Sequence, residues 1–307
     1  MPPVFSFKPI GFSWVAIHPE PKGIIQFIGG AFFGTFPTAF YRYFLRTLFN
    51  EGYTIIALPF RFSFRHWDIA IELLKEQEVL RKELTSITRN VFYQEKAKYI
   101  WLGHSLGCKY IALLELLSDE RWKQIAESCI EKQVYQRIEA IQDSAGMDNA
   151  SILSQSSLLV APDLSDTESA IPVKAIARLL DRVGLGVQPT RKQTQCFIER
   201  SQLFNLTAMI SFDKDMIAGS VLDQGNSNKN QEESDVLWLF LKLKTRQYPV
   251  LNIELHGKHL EPLGVKIGKF IDDLNPFDKF IELLSSRLLE RYAANFLVQL
   301  SQRQNGS

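Results

Sequence analysis

The run Lys98-Tyr-Ile-Trp-Leu102, followed by Gly103-His104-Ser105-Leu106-Gly107, decides the architecture. Tyr99 to Leu102 are apolar or aromatic, as a buried strand requires, and Leu106 to Leu117 then carries apolar side chains at helical spacing. Two glycines flanking a serine between a strand and a helix are the sequence sign of a nucleophile elbow. That turn is so tight that a Cβ at either flank would strike a neighbouring strand or helix. The serine is left in a strained conformation with its Oγ exposed, and the helix N-terminus offers partial positive charge to a developing oxyanion. The plainer reading is a glycine-rich turn whose serine merely caps the helix.

Outward from this run, short apolar segments ended by Gly or Pro alternate with longer stretches of helical periodicity, which predicts an α/β protein with a mainly parallel sheet. Strands are expected at Phe12 to Ile17, Gly23 to Ile28, Tyr53 to Leu58, Lys98 to Leu102, Ser157 to Val160, Leu206 to Phe212 and Val250 to Leu255. Helices are expected at Thr38 to Phe49, Arg65 to Thr88, Leu106 to Leu117, Val173 to Val183, Gln193 to Phe204 and Ser234 to Thr245. In the second of these, Ile69, Leu73, Leu80, Leu84 and Ile87 form one buried face. The tail from Pro276 reads as another helix, with Phe280, Leu283, Leu284 and Leu288 on one side. Two stretches interrupt the rhythm, 119–154 and 165–205, and read as insertions above the strand ends of a single domain spanning 1–307. The second carries the Gly184, Gly186, Pro189 breaker cluster and is expected to form a small helical cap. Gln224 to Glu233 is a polar loop with nothing to bury.

Composition narrows the function. The chain has 307 residues, 46% of them apolar and 22% charged, which excludes disorder and coiled coil. A net charge of +1 supplies no field to gather polyanions, so nucleic acid is not an expected partner. Cys108, Cys129 and Cys196 are too few and too scattered for a disulfide framework or a zinc cluster, and this predicts a reducing, cytoplasmic setting. Neither a signal peptide at Met1 to Ile17 nor an apolar run of about 20 residues is visible, so a soluble protein is expected, with peripheral membrane contact left open. The 22 Phe come in bunches, notably between Phe27 and Phe49, and point to an apolar pocket, although core packing accounts for them as well.

A serine nucleophile needs a base, and in this architecture acid and then His follow it along the chain. Only His256 and His259 lie after Ser105. His259 is the stronger candidate because it falls in the loop past the strand Val250 to Leu255, whereas His256 still belongs to the strand end. For the acid, Asp213 and Asp215 both follow the strand ending at Phe212. Asp215 is favoured, with Asp213 suited to bonding the turn and Asp163 a third candidate one strand earlier. The oxyanion hole is expected to use the N–H of Leu106 and one from the loop Gly29-Gly30-Ala31-Phe32-Phe33-Gly34, at Gly30 or Ala31. Cys108, on the first turn of the next helix, reads as a packing thiol.

These residues resemble a family of α/β-hydrolase-like proteins of cyanobacteria and plastids grouped as a domain of unknown function. The likeness rests on Gly103-His-Ser-Leu-Gly107, on Phe212-Asp-Lys-Asp-Met-Ile217 with Ser220, on Gln188-Pro-Thr190 with Thr194, and on Gly257-Lys-His-Leu-Glu-Pro-Leu263. The resemblance implies the α/β-hydrolase fold, a mainly parallel twisted sheet with helices on both faces, and a Ser105, Asp215, His259 triad. One position departs from it: Glu261 stands two residues from His259 where a small neutral residue is expected, and so close a carboxylate bears on how the imidazole serves as a base.

The expected activity is a serine esterase or lipase-like hydrolysis of an apolar ester or thioester through an acyl-enzyme, needing no cofactor and no metal. Phe32, Phe33 and Leu180 are the candidate substrate-binding residues. An acyltransferase with the same triad, or a non-catalytic member binding a lipid or a protein, are the competing expectations.

Overall fold

A computed structural model describes residues 3–144, 150–164, 186–201, 206–222, 234–272, 281–284 and 287–305. One sheet has eight strands, β1 Lys8–Ile10, β2 Ser13–Ala16, β3 Gly23–Ile28, β4 Tyr53–Ala57, β5 Tyr99–His104, β6 Ser156–Val160, β7 Thr207–Phe212 and β8 Leu251–Leu255. Their spatial order is β1-β2-β4-β3-β5-β6-β7-β8. Pairing is parallel from β4 to β8, and β1 and β2 add an antiparallel edge.

The inner strands read as unbroken apolar runs because both of their faces are covered. Their side chains alternate accordingly. Ile24, Ile56, Tyr99, Trp101, Leu159 and Met209 enter one core, while Ile25, Ile55, Ile100, Leu102, Leu158 and Ala208 enter the other. The first core is closed by α3 His66–Thr88, α4 Leu106–Ser118, α5 Trp122–Cys129, α6 Lys132–Ser144, α7 Arg191–Arg200 and α8 Asp235–Leu243. Across the sheet lie α1 Pro37–Phe40, α2 Arg42–Asn50 and α9 Leu289–Asn305. The expected helix Thr38 to Phe49 is thus two, broken at Tyr41.

Between β3, β4 and β5 the chain reverses its direction of travel across the sheet, and a crevice opens outside the carboxyl ends of β3 and β5. Register pairs Ile28 with Gly103, so the loop after β3 lies beside Ser105.

Three expectations are corrected. The tail is not one continuous helix: Ile281–Leu283 is a strand, β11, paired antiparallel with β10 Phe270–Asp272, which also pairs with β9 Val265–Ile267, while Pro276 and Phe280 lie outside the described residues. Pairing to a neighbouring strand overrides the helical spacing of Leu283, Leu284 and Leu288, and the helix begins only at Leu289. Secondly, Cys129 and Cys196 are joined in a disulfide, leaving Cys108 as the free thiol. A reducing, cytoplasmic setting therefore loses the premise on which it was read.

The third correction concerns the insertions. α5 and α6 pack on α3 and α4, and α7, opened by the Thr190 and Gln193 capping box, packs on α4 and α5. These helices cover a face of the sheet rather than its strand ends, and the disulfide ties one insertion to the other. Residues 165–185, with the expected helix Val173 to Val183, Leu180 and Gly184, lie outside the described residues. Among the described residues no helix is long and apolar enough to cross a membrane.

Candidate active site

Ser105 sits between β5 and α4 with φ +55° and ψ −124°, a conformation that costs a non-glycine residue about 1–3 kcal/mol and must be held by its surroundings. Its N–H donates to Val160 C=O at 3.0 Å, and its C=O accepts from Cys108 N at 2.9 Å. The flanking glycines are forced by contact. A Cβ on Gly103 would lie 2.8 Å from Ile111 Cδ1, and one on Gly107 would run into the carbonyl oxygen of Ile28.

His259, in the loop after β8, brings Nε2 to 2.8 Å from Ser105 Oγ and Nδ1 to 2.8 Å from Asp215 Oδ2. A carboxylate only accepts, so Nδ1 carries the proton, and Nε2 is the acceptor for the serine hydroxyl. The other carboxylate oxygen of Asp215 accepts from Ile217 N at 2.8 Å and Ala218 N at 2.9 Å. All three side chains are buried. Such a chain of bonds lets an imidazole take a proton from a hydroxyl and return it to a leaving group.

The other candidates fall elsewhere. Asp213 Oδ2 lies 2.8 Å from His256 Nδ1, and its Oδ1 accepts from Gly257 N at 3.0 Å, so it ties the two turns at the surface. Asp163 stands in the cavity wall, its N–H 3.4 Å from the Ser105 C=O. Glu261 turns back on its own loop, accepting from Lys258 N at 3.2 Å. Cys108 is buried with Sγ 3.6 Å from Val160 C=O, and burial pushes its thiol well up and away from the reactive thiolate.

One oxyanion candidate is corrected. Gly30 N–H donates to Tyr41 Oη at 2.7 Å, so it is engaged inside the protein. Gly34 N donates to Gly30 C=O at 2.6 Å, and in a trans peptide the N–H of Ala31 points the opposite way. Among the described residues nothing accepts the N–H of Ala31 or of Leu106, and both residues line the cavity above Ser105.

That cavity has a volume of about 160 Å³. Phe32, Phe33, Phe62, Phe64, Val187, Ile217 and Leu260 make its walls apolar, with Ser105, His104, His259, Asp163 and His66 among them. Phe32 is 62% exposed at the mouth and stacks on Phe62 with 4.6 Å between ring centres. Val187 is carried by the second insertion, which is stitched to the wall by Gln188 N to Phe64 C=O at 2.8 Å and His66 N to Gln188 C=O at 2.9 Å. Burial, then the charge of Lys109, hold His66 well below the usual histidine range, so it is neutral. Among the described residues no group of three or more His, Cys, Asp and Glu side chains could hold a metal ion.

Sequence reasoning passed over two residues here, His104 and Tyr41. Burial pushes the His104 imidazole down to about 3, and its two nitrogens reach Tyr41 Oη and the His259 C=O, each at 2.8 Å.

Residues 6–295 match the family described as protein of unknown function, DUF1350. The chain belongs to DUF1350. Among curated proteins none matches it. Solved structures similar to this DUF1350 protein include a butyrate-bound esterase of the Planctomycetes species Thermogutta terrifontis. Its TM-score is 0.54 at 12% identity, over 94% of this chain and 88% of that one. The carboxylesterase Cest-2923 of Lactobacillus plantarum WCFS1 gives 0.54 at 11% identity, over 96% of each chain. The DUF1350 chain has the α/β-hydrolase fold, and at these identities the likeness carries the fold alone.

Proposed function

We propose that this DUF1350 protein is a serine hydrolase that cleaves a carboxylic ester or thioester of an apolar acyl substrate through an acyl-enzyme on Ser105. The observation that carries this reading is the buried Ser105, His259, Asp215 chain, with two contacts of 2.8 Å, on the wall of an aromatic cavity. Ser105 Oγ attacks the acyl carbonyl as His259 Nε2 accepts its proton. The oxyanion is met by the N–H groups of Leu106 and Ala31 at the start of α4 and in the loop after β3. Collapse breaks the bond to the alcohol or thiol, which leaves with the proton from Nε2. Water then attacks the acyl carbon, again with His259 as base, and the acid is released. Asp215 keeps Nδ1 protonated throughout and stabilises the transient imidazolium.

The apolar walls support an acyl chain rather than a charged one. A cavity of about 150 Å³ holds a group the size of benzene, so the volume here suits about six carbons, with longer chains emerging past Phe32 and Phe62. Val187 adds a further apolar side chain to this wall.

A fluorophosphonate probe tests the proposal. The similar Thermogutta esterase 2 has been obtained phosphonylated by sarin, which makes such chemistry a natural choice. The probe should label the wild type on Ser105 and leave Ser105→Ala unlabelled, and p-nitrophenyl esters should be turned over only by the wild type. A folded wild type that is neither labelled nor active would overturn the hydrolase reading in favour of a binding role.

A further inference from the structure

The imidazole of His104 occupies the variable position of the Gly103-x-Ser105-x-Gly107 turn, and nothing in the mechanism above uses it. It is completely buried, and so is its partner Tyr41. Four groups form one line: Gly30 N, Tyr41 Oη, the His104 ring and the carbonyl oxygen of His259.

The direction of every bond in that line follows from its ends. A carbonyl oxygen only accepts, so His104 Nε2 carries a proton and donates to His259 C=O at 2.8 Å. The ring is neutral, so Nδ1 has no proton and accepts the Tyr41 hydroxyl at 2.8 Å. The phenol oxygen then accepts the Gly30 N–H at 2.7 Å. Every donor has one acceptor and the bonds run head to tail, an arrangement in which each bond polarises the next.

The two ends of this line lie on the two loops that carry the proposed machinery. One is the main chain of His259, whose ring must meet both Ser105 and Asp215. The other is the loop after β3, which carries the Ala31 N–H. Between them stands His104, whose backbone is the last residue of β5 and is bonded directly to Ser105. The fit is close on all sides: a Cβ on Gly30 would lie 3.1 Å from Ser105 Cβ and 3.2 Å from His104 Nδ1. The His104 and His259 rings are 5.2 Å apart. Tyr41 is itself fixed edge-on to Phe27 of β3 at 4.7 Å.

We infer that His104 and Tyr41 are positioning residues that lock the base-bearing loop and the oxyanion-bearing loop to the nucleophile strand. The inference rests on the serine hydrolase reading and adds to it. Tyr41 is not among the residues that line the cavity, and both ring nitrogens of His104 are bonded to the protein, to Tyr41 and to the His259 carbonyl, rather than directed at substrate. A loop free to drift by a fraction of an ångström loses transition-state contacts that substrate binding does not need, so the effect falls on kcat rather than on KM.

The test uses the full-length protein and the fluorophosphonate probe as an active-site titrant, so that kcat is counted per labelled serine and is independent of any unfolded fraction. Tyr41→Phe removes one hydroxyl while keeping the ring against Phe27, and should lower kcat about tenfold with KM nearly unchanged. His104→Ala should cost more, and His104→Gln, whose amide retains a donor at the reach of Nε2, should recover part of the loss. Adding Tyr41→Phe to His104→Ala should then cost little more, because the line is already broken. Labelled variants with wild-type kcat per labelled serine would overturn this inference and leave the hydrolase reading standing. An unlabelled, inactive wild type would overturn the hydrolase reading and this inference with it.

Discussion

Asp215 Oδ2 lies 2.8 Å from His259 Nδ1 in a buried pair, and two residues earlier Asp213 Oδ2 lies 2.8 Å from His256 Nδ1 with the His256 side chain 73% exposed. Two carboxylate–imidazole pairs of equal length thus differ in burial and in what the far nitrogen faces, Ser105 in one and Lys214 in the other. Asp215→Asn should lower turnover of a p-nitrophenyl ester by about 10⁴-fold, because the amide presents the wrong hydrogen-bonding group to Nδ1. Asp213→Asn removes an exposed pair worth less than about 1 kcal/mol and should leave turnover within a few-fold of wild type. Activity lost in Asp213→Asn or Asp163→Asn and kept in Asp215→Asn would move the acid.

Buried neutral histidines make stability fall with acid. The unfolded chain protonates His104 near its ordinary value of 6.5, whereas in the fold burial holds it down to about 3. Between those values the unfolded state binds more protons, so stability present above about pH 6.5 is lost as the pH falls toward 3. At pH 5 the loss from this residue amounts to about 2 kcal/mol. His66 is lowered too, so the wild type alone does not isolate the effect. Denaturant unfolding of wild type and His104→Gln near pH 7 and pH 5 does: the variant should lose about 2 kcal/mol less on acidification. Equal losses would mean that His104 is charged in the fold.

The disulfide makes a countable statement. Denatured without reductant, the chain should present one reactive thiol, Cys108, and three after reduction. The bridge closes a separation of 67 residues between α5 and α7. Chain-entropy arguments assign such a closure about 4 kcal/mol. Cys129→Ser with Cys196→Ser should therefore lower stability by up to that amount. Three reactive thiols before reduction would mean that the pair is open.

How far the residues spoke for themselves depended on range. β3 to β7 were legible because a parallel strand covered on both faces must be an apolar run, as in Tyr53–Ala57 and Thr207–Phe212. β1 was not, since three residues containing Pro9 make no pattern. Ser105, Asp215 and His259 could be singled out because each follows a strand whose carboxyl end must lie on the same edge of the sheet. The His104 and Tyr41 bond was invisible: its partners are 63 residues apart, and the turn puts no constraint on the residue before the serine. The Cys129 and Cys196 pair was missed for the same reason, as spacing alone specifies no partner.

Chain-length preference follows from the cavity. If its apolar volume of about 160 Å³ receives the acyl group, each methylene added inside it contributes about 0.8 kcal/mol, or about fourfold in kcat/KM. The gain should continue to about six carbons, the size that such a volume accommodates, and flatten where the chain passes Phe32 and Phe62 into solvent. Val187 stands in this wall, held by the backbone bonds between Gln188 and Phe64. Val187→Asp places a charge where the chain lies and should depress kcat/KM for the hexanoate ester far more than for the acetate, which does not reach it. The measurement is a series of p-nitrophenyl esters from acetate to decanoate on both proteins, with thermal unfolding to confirm that the variant is folded. An equal loss on acetate and hexanoate would place the acyl group elsewhere, and a wild type indifferent to chain length would remove the case for an apolar acyl substrate.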